Sequence, residues 1–136
     1  RPPNLHFTLA FLGETDAARL DDLVAAAGTV TPQRFVIHVD RVDYWRHNRI
    51  VWAGASRVPE ALATLVGALR AALDAARFRY DAKPFVPHVT LLRDARPAAL
   101  PPFTPLAWPV TAFVLVKSEP GRDYAIVREW GINPGG

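Results

Sequence analysis

Two segments share one pattern: "PFVPHVTLLR" at residues 84–93 and "LHFTLAFLG" at residues 5–13 each place an H-x-T unit inside an apolar run. Successive side chains of a strand point to opposite faces. His88 and Thr90 should therefore share one face of a strand, and His6 and Thr8 should share one face of another. The opposite faces are predicted to belong to the core, with Leu5, Phe7, Leu9 and Phe11 in the first segment and Pro87, Val89 and Leu91 in the second.

The repeat favours a chemical role, although each pair has an ordinary explanation too. A histidine on a half-buried strand is often a hydrogen-bonded structural residue, and threonine is common in strands. Two pairs at matching offsets suggest two imidazoles that divide a proton transfer, one accepting and one donating. Hydrolysis of a phosphodiester requires this division. Thr8 and Thr90 could donate hydroxyl hydrogen bonds to the non-bridging phosphate oxygens.

The remaining sequence predicts an α+β domain with mainly antiparallel sheets. Helical spacing of apolar residues predicts two helices, at residues 15–28 and 59–76, and Thr15 or Asp16 can cap the first. Alternation predicts further strands at residues 34–42, from residue 49, at 110–118 and at 123–130. Residues 43–48 are predicted to form a hairpin loop, and residues 96–109 a proline-rich connection.

Composition limits the class of protein. The chain has 136 residues, half of them hydrophobic, which suits one domain at residues 1–136, made of two similar lobes. There is no cysteine, which excludes thiolate catalysis and disulfides. The net charge is +3, and nearly all of the positively charged residues are arginines. Arginine suits a phosphate-bearing partner, although a GC-rich genome produces the same bias. With no apolar run of ~20 residues we expect no membrane span, and with no methionine at position 1 we expect a longer gene product.

No metal site and no cofactor are predicted. His38 and His47 have no partner at the spacing of metal ligands. Tyr44 and Trp45 lie in the predicted loop, where they could stack an RNA base or could belong to the core. Trp52 lies within an apolar strand and is predicted to be a core residue.

The two H-x-T segments, the helix between them, and the later "VKS", "GRDY" and "IVREW" segments resemble the two-histidine phosphoesterases. The resemblance is to their RNA 2′,3′-cyclic phosphodiesterases, the LigT-like or 2′-5′ RNA ligase family. It implies a bilobal α+β fold with a pseudo-twofold axis, one H-x-T strand in each lobe, and a site in the cleft between the lobes. It also implies that His6 is the general acid, that His88 is the general base, and that the product is a 2′-phosphate.

The resemblance raises two further expectations. Arg93 matches an arginine that follows the second motif in the family and would bind the substrate phosphate. Strict alternation puts Arg93 on the face opposite His88, so it reaches the site only if the strand ends or bulges there; otherwise it is a solvated surface residue. Family members usually begin with another strand and helix before the first motif, so we expect both to be missing from this chain.

The expected function is metal-independent hydrolysis of RNA or nucleotide 2′,3′-cyclic phosphates by a cytoplasmic monomer with no membrane partner. Two alternatives stay open. The same residues could ligate RNA halves through a 2′-5′ linkage, because that is the reverse reaction. The chain could also be an RNA- or nucleotide-binding module without useful turnover.

Overall fold

A computed structural model describes residues 6–96, 99–100 and 103–132 of the chain. The helices are α1 (Leu20–Gly28), which follows a 3₁₀ turn at Ala17–Arg19, and α2 (Glu60–Ala75). The strands are β1 (Phe35–Val39), β2 (Arg41–Trp45), β3 (Ile50–Gly54), β4 (His88–Leu92), β5 (Leu106–Val110), β6 (Ala112–Lys117) and β7 (Ala125–Gly131). Both helices were predicted. Asp16 caps the 3₁₀ turn, since its carboxylate accepts from the Ala18 N–H at 2.9 Å, and α1 itself begins later than predicted, after Arg19.

The strands pair only in antiparallel ladders. Within the described ranges, β1 pairs with β5, β3 lies between β2 and β4, and β6 pairs with β7. The predicted α+β class is therefore confirmed. In that same part of the chain, no helix is both long enough and apolar enough to cross a membrane.

Helix α2 is the centre of the core. Its buried side chains belong to three apolar clusters. Leu62 and Val66 lie in the first core cluster, Leu65 and Leu69 lie in the second, and Leu73 lies in the third. The first cluster also contains residues of β1 and β3, the second contains Phe113 of β6, and the third contains Leu23 of α1. Apolar spacing along one helix thus joins all the sheets and α1.

The strand predicted at residues 34–42 is divided at Asp40. The Asp40 carboxylate accepts from the Ser56 N–H at 2.8 Å and from the Ser56 hydroxyl, and the Asp40 N–H donates to the Gly54 carbonyl at 3.0 Å. These bonds turn the chain, so β1 pairs with β5 while β2 pairs with β3. The hydroxyl, followed by the backbone N–H, holds the pKa of Asp40 below its ordinary value.

Two other predictions require correction. Residues 43–45 belong to β2, so the hairpin turn contains only residues 46–49. Strand β5 lies inside the segment predicted to be a connection, because pairing with β1 overrides its proline content. Pro109 is tolerated since β5 has a ladder partner on one side only within the described residues.

The strand predicted over the first H-x-T unit is wrong. Residues 6–13 contain no strand, and Leu5 lies outside the described residues. Phe7 and Leu9 pack against the first cluster as expected, but Ala10 and Leu12 then pack against the third cluster, and Phe11 is 64% exposed. Leu9 also packs against the second cluster, so contact with all three core clusters, and not pairing in a ladder, sets the side-chain directions here.

Candidate active site

Strand β4 places His88 and Thr90 on one face, as predicted. His88 lies opposite Gly54 and Thr90 lies opposite Trp52 on β3, and residues that pair across strands share a face. On the other face Val89 is buried opposite Ala53, which belongs to the first core cluster. Both polar residues of the second motif therefore point away from the first core cluster.

The imidazole of His88 is held by a backbone carbonyl and an indole. Its Nδ1 lies 2.8 Å from the carbonyl oxygen of Val86. Because a carbonyl oxygen only accepts, Nδ1 carries the hydrogen in this contact, and the lone pair of neutral His88 is then on Nε2. Trp45 meets the ring edge to face, with centroids 4.7 Å apart. The carbonyl and the indole therefore hold the ring with Nδ1 toward Val86.

An aromatic row continues from His88 across the sheet. The rings of Trp45 and Trp52 stack with centroids 4.7 Å apart, and the guanidinium of Arg41 lies 5.0 Å from the centre of the Trp52 ring. Arg41 also contacts Asp43 at 2.7 Å. The backbone N–H of Tyr44, and then Arg41, lower the pKa of Asp43, so its carboxylate stays charged.

Trp45 and Trp52 differ in exposure. Trp52 is buried at 5% exposure, as predicted for a core residue, and among the described residues its Nε1 has no hydrogen-bond partner. Trp45 is half-buried beside His88.

Tyr44 lies on the face of the sheet opposite His88 and Trp45. It pairs with Val51 on that face, and its hydroxyl donates to the Ala95 carbonyl at 2.7 Å. Tyr44 therefore ties β2 to the segment that follows β4.

Gly54 allows the close packing beneath His88. A Cβ at this position would lie 2.7 Å from the Pro87 carbonyl oxygen and 2.7 Å from Cζ3 of Trp52. Real Cβ atoms essentially never approach other heavy atoms so closely. The absence of a side chain at Gly54 thus lets the start of β4 approach β3.

Strand β4 contains a bulge and ends at Leu92, directly before Arg93. Strict alternation, which would put Arg93 on the face opposite His88, therefore does not apply. The register shifts by one residue between Thr90, opposite Trp52, and Leu92, opposite Val51. Leu92 therefore follows the face of Val51, and Arg93 lies in a bend just after the strand, where strand alternation no longer sets its direction. The bulge also explains why Leu91, predicted to be in the core, is 37% exposed.

His6 lies against a residue that the sequence did not indicate individually. The rings of His6 and Tyr124 meet edge to face with centroids 4.7 Å apart, while Thr8 is exposed. Tyr124 directly precedes β7, and its only signal in the sequence was its place in the "GRDY" segment. The contact brings the turn between β6 and β7 to the first motif.

Both motifs border the first core cluster. Phe7, next to His6, packs against this cluster, and Val89, next to His88, pairs with Ala53 inside it. No group of three or more histidine, aspartate or glutamate side chains within residues 6–96, 99–100 and 103–132 is arranged to hold a metal ion.

Known proteins are similar to this chain in sequence and fold over nearly its whole length. RNA 2′,3′-cyclic phosphodiesterase of Escherichia coli (strain K12) is 35% identical over 134 residues, which are 95% of this chain and 76% of that protein. RNA 2′,3′-cyclic phosphodiesterase of Thermus thermophilus is 32% identical over 96% of this chain and 73% of its own length.

The solved structures agree. The crystal structure of E. coli LigT complexed with 3′-AMP is 34% identical and superimposes with a TM-score of 0.83, covering 97% of this chain and 79% of LigT. The crystal structure of TT0787 of Thermus thermophilus has a TM-score of 0.77 at 31% identity, over 99% of this chain and 81% of that one. The family model described as 2′-5′ RNA ligase superfamily matches residues 1–122. This chain therefore belongs to the 2′-5′ RNA ligase superfamily.

Proposed function

We propose that this chain hydrolyses the 2′,3′-cyclic phosphate of RNA ends or nucleotides and leaves a 2′-phosphate. His88 takes a proton from the attacking water through Nε2. As the new bond to phosphorus forms, the bond from phosphorus to the ribose 3′-oxygen breaks, and His6 protonates that oxygen. Thr8 and Thr90 donate hydrogen bonds to the non-bridging oxygens, where negative charge accumulates.

The observation that carries the proposal is the geometry of His88. With Nδ1–H donated to Val86, neutral His88 presents the lone pair of Nε2, which is the form that a general base requires. Trp45 keeps the ring in this orientation. The assignment of acid to His6 and base to His88 comes from the family resemblance.

The named relatives support the substrate class. Two similar proteins are RNA 2′,3′-cyclic phosphodiesterases, and a LigT structure holds 3′-AMP. Arg93, exposed at the end of β4, adds a guanidinium that can bind the substrate phosphate in a bidentate manner. The cleft between two lobes, with one motif on each side, stays part of the proposal.

The test is hydrolysis of a 2′,3′-cyclic mononucleotide with identification of the product. His6→Ala and His88→Ala should each lower kcat by ~10²–10⁴-fold, which is typical of a positioned acid or base. His38→Ala is the matched control, because His38 is exposed on β1, and it should keep kcat unchanged. Near-normal turnover in either of the first two variants would contradict its role, and a 3′-phosphate product would contradict the assignment of the leaving oxygen.

Two further measurements separate the alternatives. An RNA ending in a cyclic phosphate, incubated with one that begins with a 5′-hydroxyl, tests ligation, since hydrolase and ligase share their residues. Tight binding of the cyclic phosphate end without turnover would favour a binding module.

A further inference from the structure

The positive charge of the chain is concentrated at one end of the β2–β3–β4 sheet. The turn at residues 46–49 and the segment at residues 93–96 contain four arginines and one aspartate, a net charge of +3. The whole chain also has a net charge of +3, so all other residues together are neutral. We call these two segments the arginine platform. All four arginines are exposed: Arg46, Arg49, Arg93 and Arg96.

Backbone and side-chain bonds hold the two segments of the platform together. The Ala95 N–H donates to the Arg49 carbonyl at 2.9 Å, and the Arg49 guanidinium lies 3.4 Å from the Asp94 carboxylate. The Tyr44 hydroxyl secures the same segment through the Ala95 carbonyl. Arg49 and Asp94 both have left-handed backbone angles, with φ of 55° and 51°. The two segments therefore form one surface.

The platform begins where the candidate active site ends. Trp45 touches the ring of His88 and directly precedes Arg46, and Arg93 directly follows β4. Arg93 is three positions after Thr90, which is at most roughly 10 Å along the chain. A phosphate bound at His88 and Thr90 would thus lie beside a half-exposed indole, with exposed guanidinium groups beyond it. Single-stranded RNA is bound by this combination of stacking and positive charge.

We propose that the arginine platform binds the RNA backbone on the 5′ side of the terminal phosphate, so that this protein prefers single-stranded RNA to mononucleotides. The inference rests on the proposed function for the position of the RNA end. Trp45 stacks the base nearest the site, and Arg46 and Arg96 contact phosphates further along the strand. Arg49 supports them through its bond to Asp94.

The experiment measures the Kd of the full chain for a fluorescent single-stranded RNA of about eight nucleotides with a 3′-phosphate, a length within the usual range of single-strand sites. Arg46→Ser combined with Arg96→Ser should raise the Kd about tenfold and reduce the slope of log K against log salt by about 1.4, which is roughly 0.7 for each lost phosphate contact. Arg57→Ser combined with Arg128→Ser is the matched control, because both arginines are exposed outside the platform, and it should change neither value.

Three outcomes would overturn the inference: an equal loss in the platform and control variants, a Kd independent of salt, or a Kd for the RNA no lower than for a 3′-mononucleotide. Binding does not depend on turnover, so failure of the proposed function would be seen separately. RNA binding that needs the platform, in a chain that does not hydrolyse a cyclic mononucleotide, keeps the inference and contradicts the proposed function. Hydrolysis of the cyclic mononucleotide without platform-dependent RNA binding keeps the proposed function and contradicts the inference.

Discussion

Substitution of Gly54 by alanine should damage the site without removing any catalytic group. The new Cβ would lie 2.7 Å from the Pro87 carbonyl oxygen, and ordinary contact begins at 3.4 Å, so the strands must separate by about 0.7 Å at this point. Pro87 directly precedes His88, which pairs with Gly54. The ring of Trp52, also 2.7 Å from the new Cβ, must move too.

The size of the effect follows from this displacement. Overpacking of a close-packed region typically costs about 1–3 kcal/mol of stability. A misplacement of reacting groups near 1 Å can cost ~10²-fold in rate, so we expect kcat to fall by roughly tenfold to a hundredfold. The substrate phosphate should still bind, since its threonine and arginine ligands are retained, and KM should change less than kcat.

The assay combines thermal unfolding with cyclic mononucleotide hydrolysis, measured well below the Tm of the variant. Gly67→Ala is the matched control: a Cβ there has nothing within 4 Å, and the residue is exposed in α2. Alanine in a helix interior is favoured over glycine by about 0.5–1 kcal/mol, so this variant should be slightly more stable and equally active. A Gly54→Ala protein with unchanged kcat and Tm would refute the reasoning.

Three further predictions concern the proposed chemistry and the corner at Asp40. Thr8→Val and Thr90→Val should each lower kcat by ~10-fold to ~10³-fold, as for loss of one oxyanion donor; unchanged kinetics would remove that threonine from the site. Turnover should vary with pH as a bell, failing in acid when the base is protonated and in alkali when the acid has lost its proton, and EDTA should not affect it; activity lost in EDTA and restored by a divalent ion would exclude the two-histidine mechanism. Because the pKa of Asp40 is lowered in the folded protein, its stabilising effect is present above the ordinary aspartate pKa of about 3.9 and is lost as pH falls through the folded value. Asp40→Asn should therefore lower the Tm at neutral pH and make little difference in strong acid; an equal decrease in Tm at both pH values would contradict the assigned cause.

Local signals predicted the elements whose own apolar spacing defines a buried face. Helix α2 appears where a spacing of 3.6 residues placed it, and β4 occupies residues 88–92 of the segment predicted as a strand at 84–92. Strand β5 was not predicted, because its partner β1 lies far away in the sequence and its prolines read as a connection. Long-range pairing determined that result.

The candidate site divides in the same way. The shared face of His88 and Thr90 follows from alternation along β4 alone. The contact of His6 with Tyr124 does not, because the two residues are far apart in the sequence and meet only through the folded chain. The bulge that precedes Arg93 depends on the register of β3 against β4, which no local pattern reveals.

The participation of α2 in all three core clusters has a consequence for cooperativity. Because each cluster includes an α2 side chain, all three core clusters lose contacts when this helix unfolds. The segment with His6 and the strand with His88 both rest on the first cluster, so they should lose their structure in one step. Fragments cut on either side of α2 should fail to fold separately, and mixing them should restore structure and activity together.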